Sequence, residues 1–180
     1  MVHFSEILGL PVFEADGSRV GRLDDLRVDS HRGIVDCLVL RVRGEFRSVP
    51  WSAVGSFSPE HRRVALIESA VLGTWSGGVS ETICLTRDVL DRQIIDTQGR
   101  KVVRVNDIAL ETAGDQLLLR RVEVGLAGAV RRLLAGVISP RLLRRLADGL
   151  SQQGIPWDYV GMVEPGSARI RLKVHQQLAK

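Results

Sequence analysis

The stretch from Val12 to Asp29, VFEADGSRVGRLDDLRVD, occurs twice in this chain. Its second version, IIDTQGRKVVRVNDIALE, runs from Ile94 to Glu111. Gly17 aligns with Gly99, Val20 with Val102, Asp25 with Asp107 and Leu26 with Ile108, each at an offset of 82 (99 − 17). Both versions hold a turn followed by a strand. Asp16-Gly17 is a turn pair because Asp can bond its own backbone and Gly accepts positive φ, and Gln98-Gly99 stands in its place. Gly21 in the first copy permits a close backbone approach or a bulge. Further on, Val49-Pro50-Trp51 returns as Ile155-Pro156-Trp157 at an offset of 106 (157 − 51), so the second copy carries 24 extra residues (106 − 82).

Around these anchors the chain reads as short strands. Ser5 to Leu10 gives only a weak lead-in signal, either a turn of helix or a strand. Ile34 to Val42 is β-branched and apolar on both faces, as a central strand requires. Gly44-Glu45 turns the chain, Phe46 to Val49 leads to the Pro50-Trp51 corner, and Val64 to Ile67 ends the first unit. In the second unit Gln116 to Val124 takes the central place, with Arg120 where the first has Leu38 and Arg121 where it has Val39. The Ile155-Pro156-Trp157 corner follows, and Arg169 to Val174 closes the unit. The resulting expectation is a mainly β protein of two tandem small antiparallel barrels. The first spans 1–72, a linker 73–82, and the second 83–174. Residues 175–180 begin a further helix. Trp75, within the Gly-rich linker region, is expected to dock on one of the barrels.

The 24 extra residues, 126–149, predict a helical hairpin inserted in the second barrel. Ser139 stands as N-cap, Pro140 at the first helical position and Gly149 as the stop. Leu142, Leu143, Leu146 and Leu150 form one apolar stripe. Arg131, Arg132, Arg141, Arg144 and Arg145 face a single Asp148, a net of +4. The other 156 residues then hold 20 basic and 20 acidic side chains, so the formal +4 of the whole chain comes from this segment. Basic amphipathic helices meet acidic protein domains or anionic lipid headgroups. These five arginines are therefore the candidate partner-binding residues, with the hairpin covering the second barrel as the structural alternative and nucleic acid as the lesser partner.

Catalytic and metal-binding constellations are not evident. No Walker loop, dinucleotide Gly fingerprint, HExxH or CxxC occurs. His3, His31, His61 and His175 lack helical pairing, and Cys37 and Cys84 are too isolated for a zinc site. Asp24-Asp25 and Asp107 with Glu111 carry oxygen ligands, but adjacent strand residues point to opposite faces, so Asp24 and Asp25 are not expected to share an ion. A non-enzymatic chain without cofactor or metal is the expectation. Membrane-span and signal patterns are absent, so the expected location is cytoplasmic, with any membrane association arising through downstream domains.

The repeated pattern (apolar pair, Asp-Gly or Gln-Gly turn, Val-Gly or Val-Val, Asp-Leu or Asp-Ile on a strand, then Val/Ile-Pro-Trp) resembles the PRC-barrel family of the photosynthetic reaction centre H subunit and the ribosome maturation factor. The resemblance covers 12–70 and 90–174 and marks Gly17, Gly99, Pro50, Trp51, Pro156 and Trp157 as structural turns and corners. Two copies ending in RLKVHQQLAK resemble the N-terminal region of MgtE-type, CBS-containing, magnesium transporter-like bacterial proteins. That implies a regulatory module docking on its own downstream domains, on a homodimer partner or on another protein. A ribosome- or RNA-associated role is what the maturation-factor side of the family implies instead.

Overall fold

A computed structural model describes residues 1–68, 70–75, 82–95, 102–125, 134, 154–160 and 169–171. In chain order, its elements begin with β1 (Val2–His3), a single helical turn α1 (Phe4–Ile7), β2 (Pro11–Phe13), β3 (Arg19–Asp29), β4 (Val35–Val42) and β5 (Glu45–Pro50). Next come β6 (Val54–Ser58), β7 (Arg63–Leu66), β8 (Gly73–Thr74), β9 (Thr82–Cys84) and β10 (Gln93–Ile95). The remaining strands are β11 (Val102–Arg104), β12 (Asp107–Ala113), β13 (Gln116–Glu123), β14 (Gly154–Pro156) and β15 (Arg169–Arg171). The protein is mainly β. Below, β2–β8 are the first half and β10–β15 the second.

Turn chemistry sets the first half. Gly17 sits at φ +87, and its N–H donates to the Glu14 carbonyl at 3.0 Å. Arg43-Gly44, both at positive φ, joins β4 to β5 as a two-residue hairpin of the primed kind. The sheet runs β6-β7-β2-β3-β4-β5-β8, with β9 also on β3. Arg22 to Val28 pairs with β4 along one edge of β3; on the other edge Arg19 to Arg22 pairs with β2 and Arg27 to Asp29 with β9. Gly21 lies where an added Cβ would come 2.5 Å from the Arg41 carbonyl oxygen, which explains its small side chain.

Backbone connections in the second half fall at the expected offset. Gly9 N–H bonds the Leu23 carbonyl and Leu23 N–H the Leu10 carbonyl; 82 residues later, Asp91 N–H bonds the Val105 carbonyl and Val105 N–H the Arg92 carbonyl. Gly9 and Asp91 both take positive φ. The register Val12↔Val64 recurs as Ile94↔Ile170, at offsets of 82 and 106 (94 − 12 and 170 − 64).

Three expectations change. The sheets are mixed rather than purely antiparallel: β7 runs parallel to β2 and β15 to β10, because each half brings a later strand back beside its first. Among the described residues the ladders do not close into a barrel; the larger sheet ends at β6 and β8. The register of β13 also differs from the sequence alignment. Asp25 faces Val39 and Leu26 faces Leu38, whereas Asp107 faces Glu123 and Ile108 faces Val122. Leu38 thus corresponds to Val122 and Val39 to Glu123, not to Arg120 and Arg121. The second hairpin is two residues longer (123 − 107 against 39 − 25), beyond a bulge that both halves share, at Arg27/Val28 in the first and at Ala109/Leu110 in the second. Of the 24 extra residues, two therefore lie in this hairpin and 22 between β13 and β14. The candidate helical hairpin 126–149, apart from Leu134, falls outside the described residues, as does the terminal segment 175–180.

The lead-in segments are exchanged. β1 pairs with β12 of the second half (Val2↔Leu110, His3↔Ala109), and α1 packs on the same strand. Reciprocally, β9 pairs with β3 of the first half (Arg27↔Cys84, Val28↔Ile83). One core results, with Phe4 and Ile7 joined to Ile108 and Leu110, and Ile83, Leu85 and Val89 joined to Leu26 and Val28.

Candidate functional site

The corners that the sequence marks lie where the halves meet. Pro50 and Pro156 each end a strand and open a 3-10 turn, Trp51–Ala53 and Trp157–Tyr159. Trp51 donates its indole N–H to the Asp115 carbonyl oxygen at 2.6 Å, reaching the β12–β13 turn. Trp157, 2 % exposed, reaches the opposite hairpin: an added Cβ on Gly33 would come 2.8 Å from its Cδ1. Leu119 N–H donates to the Gly33 carbonyl at 2.7 Å beside it, so the two β-hairpins touch at Gly33–Ile34 and Leu118–Leu119. Gly17 stays in its own exposed turn, away from this contact. Gly99 and all five candidate arginines, Arg131, Arg132, Arg141, Arg144 and Arg145, lie outside the described residues.

Two carboxyl clasps complete the contact. Asp107, fully buried on β12, accepts the Ser5 backbone N–H at 3.1 Å and the Ser5 hydroxyl at 2.7 Å, together with the Ile108 N–H at 2.8 Å. Asp25, 7 % exposed on β3, accepts the Thr86 N–H at 2.9 Å and the Leu26 N–H at 2.7 Å. The clasping turns match as well. Leu8 N–H closes an α turn on the Phe4 carbonyl, and Glu6 accepts the His3 N–H. Leu90 N–H closes a π turn on Leu85, and Asp88 accepts the Cys84 N–H. The π turn, Leu85–Val89, holds one residue more: Ser5 and Thr86 are 81 apart, Glu6 and Asp88 are 82 apart, and Arg87 is the addition. Inserting one residue into a helical turn is how such π turns arise.

A pocket of about 210 Å³ opens beside the Asp25 clasp, lined among others by Asp24, Asp25, Val39, Phe46, Trp75 and Arg87. Asp24 and Asp25 line it together, against the strand alternation expected from sequence. The ladder skips from Leu23↔Leu40 to Asp25↔Val39, leaving Asp24 as the extra residue of a bulge that turns it toward its neighbour. Arg41 bonds Asp24 at 2.9 Å and lies over the Phe46 ring. Trp75, half-buried with the Arg27 guanidinium over its ring, packs on the first half.

Burial sets the charge states here. It pushes the Asp25 carboxyl up to about 6, against the lowering effect of the Thr86 and Leu26 amides. It raises Asp107 as well, with the Ser5 hydroxyl opposing. The Cys84 thiol is pushed up to about 12, chiefly by burial and then by Asp25, so it stays protonated and unreactive at neutral pH. Among the described residues no three His, Cys, Asp or Glu side chains group as metal ligands, and no helix is long and apolar enough to cross a membrane.

Sequence reasoning did not pick out Ser5 and Thr86. Two hydroxyl residues 81 apart, one short of the 82 that separates Asp25 from Asp107, were the available signal. A family model of the PRC-barrel domain matches residues 1–69. That match includes β1 and α1, which here sit on the second half. No curated protein matches the chain.

Proposed function

We propose that this chain is a non-enzymatic docking module made of two PRC-type units, the second a diverged copy, locked to one another as an intramolecular pair. The observation that carries the reading is the reciprocal exchange of β1–α1 and β9 with its π turn. It commits Ser5 with Asp107 and Thr86 with Asp25 to holding the scaffold together. Contact with a partner then falls to the segment added between β13 and β14, where the first half needs only Arg43-Gly44. Arg131, Arg132, Arg141, Arg144 and Arg145 present its cationic side to an acidic protein surface. In the magnesium transporter-like arrangement that surface belongs to the chain's own downstream domains.

The test is fluorescence anisotropy of the full chain at low salt against polyglutamate, phosphatidylserine vesicles and a structured RNA hairpin. The docking reading expects binding to polyglutamate that is lost when the five arginines are changed to Ala. Tighter, steeply salt-dependent binding to RNA would favour a ribosome-associated role instead, and preference for the vesicles would favour a membrane surface. Binding to none of the three would overturn the assignment of these arginines.

A further inference from the structure

We propose that the pocket beside Asp25 is a binding site for a guanidinium group, taken between the Asp24 and Asp25 carboxylates and the Phe46 and Trp75 rings. The site uses none of the five arginines of the docking reading and does not depend on it.

Charge selects the ligand. Asp24 is paired with Arg41 at 2.9 Å, and Arg87 with Asp88 at 2.9 Å. Arg27, whose guanidinium lies over Trp75, is turned to Asp36 at 2.7 Å. Each of these charges is balanced by a neighbour. Asp25 is bonded by the Thr86 and Leu26 amides and the Thr86 side chain, all of them uncharged donors. Among the described residues no cation bonds it. The lining therefore carries one uncompensated negative charge, on a carboxyl that is 7 % exposed. Burial raises that carboxyl to about 6, so at pH 7.5 it is mostly ionised and gains by meeting a cation.

Wall chemistry and size narrow the ligand further. Phe46 and Trp75 stand in the lining with Val39. The chain already sets a guanidinium over each ring, Arg41 at 4.4 Å from the Phe46 centroid and Arg27 at 5.9 Å from that of Trp75. A planar, weakly hydrated guanidinium stacks on aromatic walls and bonds a carboxylate through paired N–H groups; a compact, strongly hydrated ammonium does both less well. A hard metal ion takes about six oxygen ligands, more than two carboxylates against apolar walls supply. The space of about 210 Å³ falls below the roughly 300–1,000 Å³ of sites for drug-sized ligands, and matches one side chain or a fragment. Both carboxylates line it only because the bulge at Asp24 breaks the strand alternation.

Titration of the full chain with methylguanidinium at pH 7.5, followed by the NMR shifts of the Trp75 indole N–H and the Thr86 amide, tests this. The neutral isostere methylurea is the control. Methylguanidinium should give saturable shifts at both groups in the millimolar range, and methylurea none. Asp25→Asn keeps the shape and removes the charge, and Trp75→Leu removes a wall; each should weaken binding about tenfold. A parallel titration with N-acetyl-arginine methylamide distinguishes the source: binding tighter than methylguanidinium supports a partner protein's arginine, and equal or weaker binding supports a small guanidinium compound. The absence of saturable shifts, equal shifts with methylurea, or unchanged binding in either variant would overturn the proposal. Should Asp25→Asn not fold, the methylurea comparison and Trp75→Leu decide by the same criteria.

Discussion

Trp51 of the first half donates its indole N–H to the backbone carbonyl oxygen of Asp115 in the second, at 2.6 Å. The corner of one half is thereby tied to a hairpin of the other. Trp51→Phe preserves an edge-on ring contact with Phe57 but removes the donor. The expected cost is about 1 kcal/mol, the usual net worth of one hydrogen bond, measured by urea unfolding.

Gly33 and Gly114 separate strain from contact. Both take positive φ, at +68 and +58. At Gly33 an added methyl would meet Trp157 Cδ1 at 2.8 Å and the Leu119 oxygen at 3.0 Å, while at Gly114 it would meet nothing within 4 Å. Gly114→Ala should cost about 1 kcal/mol for backbone strain, and Gly33→Ala about 2 kcal/mol more for overpacking. Equal losses in denaturant unfolding would mean that the hairpin and Trp157 are not in contact.

Ser5→Ala leaves the buried Asp107 carboxyl without the hydroxyl at 2.7 Å. A loss of about 1–3 kcal/mol is expected for a buried acceptor stripped of a partner. Ser5→Thr, which keeps the hydroxyl and is what Thr86 shows at the other clasp, should recover most of it. Thermal unfolding of the two variants side by side is the measurement.

Asp25→Asn should stabilise the protein at pH 7.5 and not at pH 4. Because burial raises the Asp25 carboxyl to about 6, its contribution is favourable below its ordinary value of 3.8 and is lost as pH rises through 6. An uncharged Asn accepts the same two amides without the cost of a buried charge. The gain at pH 7.5 is about 2 kcal/mol, read as a difference in unfolding midpoint between the two pH values.

The mainly β character of the fold was legible in the sequence from its turns and its recurring residues. Gly17 and Gly99, Asp25 and Asp107, and the two Pro-Trp corners fix the offset, and turn chemistry at Asp16-Gly17 and Gly44 places the strand ends. The partners of those residues were not legible. Nothing local distinguishes a tryptophan that reaches its own hairpin from one that reaches a hairpin 64 residues away. The lead-ins were faint because α1 is one turn long and depends on Asp107 and the core for its stability. Strand alternation failed at Asp24 because a bulge resets the pleat, and no residue type announces that bulge. The β13 alignment failed for a related reason: two extra hairpin residues shift the register without disturbing the apolar pattern.

The exchange of lead-in segments is the central claim, and engineered disulfides test it most directly. In a Cys37→Ser/Cys84→Ser background, one variant carries His3→Cys with Ala109→Cys and the other His3→Cys with Arg27→Cys. His3 faces Ala109 in the β1–β12 register, whereas Arg27 faces Cys84 in the equivalent β3–β9 register. Directly opposed antiparallel residues have Cα atoms about 4.5–5.5 Å apart, within disulfide reach. Mild oxidation of dilute protein should give an intramolecular cross-link in the 3/109 pair and none in the 3/27 pair. Cross-linking of the 3/27 pair instead, or a 3/109 cross-link formed only between molecules, would contradict it.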